Sequence, residues 1–128
     1  DITIASDKAV FSQPEVRHIS NTTFLFTALC GWKNANRWAL TGDHFDADEA
    51  YRLGLAQYRA GADDTGTRAL DVARTVRDAR PASVGHTLAL TRPNRTMVAA
   101  GLEAEYQHFL EQIDSDEADR GMAAFLKR

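Results

Sequence analysis

Two short stretches near the start of the chain alternate as strands do, and nearly everything after them follows helical spacing. No other feature limits the fold as much. Residues 2–5 and 9–13 are the strand candidates, separated by the polar turn Ser6-Asp7-Lys8. Leu55 to Ala60 reads equally as a small further strand or as an extended connector. Two strands alone make a poor sheet, because too few backbone groups find partners and no apolar face is covered. The pattern therefore predicts that other residues, outside these 128, complete the sheet. The chain also opens at Asp1, without methionine and already inside a strand pattern, so a processed chain or a fragment is expected.

The helical part is well punctuated. A cap at Ser20 or Asn21 and a start near Thr22 fit the stripe Phe24, Ala28, Leu29 and Trp32, with Gly31 as an interruption. A second piece runs from Asn34 to Leu40, carries Trp38, and has Gly42 as its C-cap. Asp46 to Glu49 reads as a capping box, starting a short helix that stops at Gly54. Residues 61–66 read as a loop, with Thr67 capping the next helix along Leu70, Ala73 and Val76. Pro81 suits the first position of another helix. A long helix from Asn94 or Thr96 places Val98, Leu102, Tyr106, Phe109 and Ile113 on one face, with Glu103, Glu105 and Glu111 read as solvated. Asp114 and Glu117 suggest a second capping box before a last helix carrying Ala118, Met122 and Phe125.

Composition excludes several classes. With 44% apolar and 26% charged residues the chain can bury a core, and its length suits one domain. A net charge of −3 offers no basic face for nucleic acid. No apolar run reaches membrane-spanning length, so no membrane partner is expected. Cys30 is the single cysteine and cannot form an internal disulfide, which fits a reducing cytoplasm. Arginine outnumbers lysine 12 to 3, a usage that points to a GC-rich bacterial source.

Few residues stand out chemically. His18, His44, His86 and His108 lack metal-ligand spacing, so no metal is expected. Cys30 lies among apolar residues and reads as core. Glu15 is different. Pro14 fixes its own φ and biases Gln13 towards extended geometry, so the next side chain stands on a rigid mount. A positioned carboxylate is what proton transfer requires, although a glutamate at the end of a strand also serves simply to face water. His18, three residues on, would orient Glu15 if the chain turns there; an ordinary surface histidine is the alternative.

The ordered segments resemble the enoyl-CoA hydratase/isomerase (crotonase) family. Asp1-Ile2-Thr3-Ile4-Ala5-Ser6 followed by Ala9-Val10-Phe11-Ser12-Gln13-Pro14-Glu15 is similar to that family's D-x-x-x-A-S strand and A-x-F-x-x-P-E segment. Leu40-Thr41-Gly42-Asp43, Asp46-Ala47-Asp48-Glu49-Ala50 and Leu53-Gly54-Leu55 resemble its L-T-G…A-x-E-A…G-L block, and Gly121 to Arg128 its G-x-x-A-F-x-x-K-R ending. The resemblance implies an α/β (α+β) fold: the last strands of a ββα spiral in residues 1–60, then a helical trimerisation region in residues 61–128. It implies an enoyl-CoA hydratase of fatty-acid β-oxidation type, in a homotrimer or hexamer, with no cofactor because coenzyme A belongs to the substrate. Its alternatives are a double-bond isomerase of the same family or an inactive assembly fragment. Glu15 would be the catalytic carboxylate, and Phe125 and Lys127 would contact the CoA end. The family's second glutamate and both oxyanion amides precede the D-x-x-x-A-S strand, so the 128 residues alone are expected to be inactive. The family's glycine-rich turn after P-E is replaced here by Arg17-His18-Ile19-Ser20-Asn21-Thr22-Thr23, which would border the acyl pocket.

Overall fold

The computed structural model describes residues 1–17, 24–93 and 95–127. The strands are β1 (Ile4–Ser6), β2 (Val10–Phe11), β3 (Phe45–Asp46) and β4 (Tyr58–Ala60). The helices are α1 (Phe24–Cys30), α2 (Trp32–Thr41), α3 (Ala47–Arg52), α4 (Thr65–Asp78), α5 (Pro81–Thr91), α6 (Arg95–Ile113) and α7 (Asp116–Phe125), with one-turn 3-10 helices at Pro14–Arg17 and Ala62–Asp64. The two early strands do not pair with each other. β1 pairs parallel with β4, in the register Ile4 to Tyr58, Ala5 to Arg59 and Ser6 to Ala60, while β2 pairs with β3. Of the two readings for Leu55 to Ala60, the strand is correct over its last three residues.

The chain forms two compact units, Asp1–Ala9 with Asp46–Asn94, and Val10–Phe45 with Arg95–Arg128. In the first, α3 and α4 cover the β1–β4 pair. Its buried apolar side chains are Ala5, Ala47, Ala50, Leu53 and Ala56. Alanine at most of these positions lets the α3 backbone lie close to β1. Asp46 caps α3, its carboxylate accepting from the Glu49 N–H at 2.9 Å. The Glu49 carboxylate also bonds the Arg52 guanidinium.

In the second unit Phe45 is the hub. Its ring stacks on Phe11 at 5.5 Å and Phe26 at 6.2 Å, and lies 4.6 Å from Trp38. Gly31 (φ 79) separates α1 from α2, and Gly42 (φ 63) ends α2, donating its N–H to the Trp38 carbonyl. Both glycines take a left-handed conformation that side chains resist.

Two helix starts and one side chain differ from the sequence reading. Thr67 does not cap α4: the helix begins at Thr65, whose hydroxyl donates to the Gly61 carbonyl, and part of the expected loop is a 3-10 turn. Ser115, not Asp114, caps α7, accepting from the Ala118 N–H at 3.2 Å. Glu105 is not merely solvated, since its carboxylate accepts the Phe24 N–H at the start of α1. The half-buried stripe of α6 is Val98, Gly101, Glu105 and Phe109, and Leu102, Tyr106 and Ile113 are exposed beside it. The expected caps Ser20, Asn21 and Asn94 lie outside the described residues.

Candidate functional site

Glu15 occupies the second position of the 3-10 turn Pro14–Arg17, not the end of an uninterrupted strand. β2 stops at Phe11, and Pro14 opens the turn, where its missing N–H costs nothing. No residue of the turn is fully buried, and Val16 is 41% exposed, so the turn has no deep apolar anchor. It packs instead against α2. Arg17 donates from Nη2 to the Thr41 carbonyl at the end of α2, and its guanidinium lies 3.5 Å from the Asp43 carboxylate. The last carbonyls of a helix lack partners within it and carry partial negative charge, so a cation suits this place.

The glycine at position 42 brings the turn close. A Cβ there would stand 2.9 Å from Arg17 Nε and 3.2 Å from Pro14 Cα. The two ends of the turn thus rest on one spot of the chain, with Glu15 between them.

One oxygen of Glu15, Oε2, is shielded from solvent and has no hydrogen-bond partner among the described residues. Burying a polar oxygen unpaired is costly, and such atoms concentrate where a ligand or reacting group completes them. Trp38 Nε1 is also buried without a partner among the described residues. Its ring is committed to packing, with Phe45 on it and the Arg37 guanidinium 4.2 Å from its centroid.

The other predicted residues stand elsewhere. Phe125, 53% exposed, ends α7, and Lys127 is exposed just beyond it. α7 packs on α6, whereas the Glu15 turn packs on α2. His18 lies outside the described residues. Cys30 is buried, and burial pushes its thiol above the usual range, which suits a core residue and not a nucleophile. No group of three or more His, Cys, Asp or Glu side chains placed to hold a metal occurs among the described residues. No helix in them is long and apolar enough to cross a membrane.

Sequence reasoning missed Arg17. The available signal was the C-cap glycine itself: a helix ending at Thr41-Gly42 leaves open carbonyls, and the arginine two residues past Glu15 was a cation free to meet them.

Comparison with known proteins places these residues in a wider frame. The family model described as enoyl-CoA hydratase/isomerase matches residues 1–128. A protein of Mycobacterium leprae (strain TN) named a probable enoyl-CoA hydratase, echA8, is 34% identical over 134 residues, covering 100% of this chain and 52% of that protein. An enoyl-CoA hydratase/isomerase structure from Pseudoalteromonas atlantica T6c superposes with a TM-score of 0.90 at 29% identity, covering 99% of this chain and 53% of that one. A carnitinyl-CoA hydratase structure from Mycobacterium avium gives 0.87 at 25% identity, covering 99% and 52%. The chain spans about half the length of the curated relatives it matches.

Proposed function

The chain belongs to the enoyl-CoA hydratase/isomerase family, and on that premise we propose that it is part of an enoyl-CoA hydratase in which Glu15 moves the proton. Water adds across the 2,3 double bond of an acyl-CoA thioester. Oxygen joins C3, a proton joins C2, and the thioester carbonyl carries the charge as an enolate between the two steps. Two backbone N–H groups aimed at that oxygen are the economical way to hold the charge. Glu15 activates the water or delivers the α-proton, working with a second acid. On this reading the second acid and the oxyanion donors come from the half of the relatives' fold that the match does not span.

The observation that carries the proposal is Glu15 Oε2, enclosed, without a partner among the described residues, and standing on a turn braced at both ends. The relatives' names support the substrate class: two carry enoyl-CoA and one carnitinyl-CoA, all CoA thioesters. Coenzyme A enters as part of the substrate, so no further cofactor is invoked. Phe125 and Lys127, exposed at the end of α7, are proposed contacts for the CoA end. A cytoplasmic homotrimer or hexamer, built through residues 61–128, completes the reading.

The test is the intact gene product with crotonyl-CoA. Loss of the conjugated enoyl absorbance is the expected result, and Glu15→Gln should reduce the rate by about two to four orders of magnitude, the usual weight of a general acid or base. Flat absorbance accompanied by migration of the double bond in a 3-enoyl-CoA would establish the isomerase instead. An unchanged rate in Glu15→Gln removes Glu15 from the chemistry.

A further inference from the structure

We propose that Arg17 is a positioning residue for Glu15, fixing the turn that carries it by bridging the turn to the C-terminal end of α2. The proposal rests on the proton-transfer role of Glu15 given above. Three observations converge on it. No residue of the turn Pro14–Arg17 is fully buried, so apolar packing gives it little hold. Arg17 ties it to the end of α2 through the Thr41 carbonyl, and to the segment just beyond through the Asp43 carboxylate. The absent side chain of Gly42 opens the space through which Arg17 Nε and Pro14 Cα approach the helix end.

The chemistry favours arginine over any other cation. A guanidinium presents five donors in a planar fork, so one group can serve a carbonyl and a carboxylate together. An ammonium is a compact point charge on a flexible four-carbon stem and holds a less defined direction. The Arg17–Asp43 pair is largely exposed on both sides, so its worth to stability is small. Its worth to geometry is different. Glu15 lies two residues from Arg17 on a single turn, and rotation of that turn moves the carboxylate directly. Misplacing a catalytic group by about an ångström can cost roughly a hundred-fold in rate.

The experiment uses the intact gene product and crotonyl-CoA, with wild type, Arg17→Met, Arg17→Lys, Glu15→Gln and the Glu15→Gln/Arg17→Met double variant. Arg17→Met is expected to lower kcat on the order of ten- to a hundred-fold, with KM within about two-fold and a thermal midpoint near wild type. Arg17→Lys should recover part of kcat. In the Glu15→Gln background, Arg17→Met should cost nothing further, because residues acting as a unit are not additive. A kcat within about two-fold of wild type in Arg17→Met overturns the proposal. So does a loss that appears in KM alone, that tracks a fall in thermal midpoint shared by Arg17→Lys, or that adds fully to Glu15→Gln. If Glu15→Gln keeps the wild-type rate, the catalytic reading itself falls and the Arg17 proposal with it. If only Glu15→Gln is impaired, the positioning role alone is refuted.

Discussion

Replacing Gly42 by alanine should destabilise the protein by about 1–2 kcal/mol, and the structure says why. Gly42 has φ 63, in the left-handed region. An L-residue pays roughly 1–2 kcal/mol there, because its Cβ crowds the following carbonyl. The new Cβ would also lie 3.2 Å from Pro14 Cα and 2.9 Å from Arg17 Nε. The arginine side chain can swing aside, but the Pro14 backbone must give by a few tenths of an ångström. Against these costs, alanine restricts the unfolded chain and returns about 0.4–1 kcal/mol. Conformation and contact together outweigh that return. Urea unfolding of the intact gene product, reading midpoint and slope, measures the difference. Gly42→Asn separates the two causes, since asparagine tolerates the left-handed region yet still carries a Cβ. Alanine should cost more than asparagine, and both more than nothing. An alanine variant as stable as wild type would refute the reasoning outright. Equal losses in the two variants would place the whole effect on contact with Pro14 and Arg17, leaving none for φ.

Other outcomes follow from single contacts. Phe45→Ala, which removes the ring shared by Phe11, Phe26 and Trp38, should cost about 3–5 kcal/mol by denaturant unfolding. Asp46→Ala should cost about 1 kcal/mol through the lost acceptor for the Glu49 N–H, and Asp46→Asn much less. Cys30 should resist alkylation in the folded protein and react fully once unfolded, as thiol titration will show. Burial raises its folded pKa above the ordinary 9.0, so the folded state holds the thiol proton more tightly. Its contribution is fully present below the unfolded pKa and is lost as pH rises through the folded one, so stability should decline above about pH 9 less steeply in Cys30→Ala. The 128 residues alone should give no measurable hydration of crotonyl-CoA; turnover by them would remove the need for a second acid from elsewhere.

Much of the helical part was legible because its signals are local. Pro81 opens α5, Gly42 closes α2, and Asp46 caps α3, each through a backbone requirement written in one or two residues. Ser115 was overlooked because Asp114 next to it offers a similar oxygen, and only the turn geometry decides between them. The strands were harder. β3 is two residues long and is made by pairing with β2, so no run of alternation announces it. Glu105 was read as solvated because charge on a long helix usually is; its acceptor role depends on Phe24, which lies 81 residues away. For the site, the mount of Glu15 was readable from Pro14, but the clamp on that mount was not. Arg17 meets Thr41 and Asp43 only after α2 has formed and turned back.

The parallel pairing of β1 with β4 has a consequence for how the protein is made. Ser6 sits opposite Ala60, so this pairing cannot form until some fifty further residues have left the ribosome. At translation speeds of roughly 5–20 residues per second that is an interval of seconds. A hairpin would have closed at once. Contacts so distant in sequence also slow the search once synthesis is over. The β1–β4 pair is therefore a late arrival in folding, however stable the finished fold.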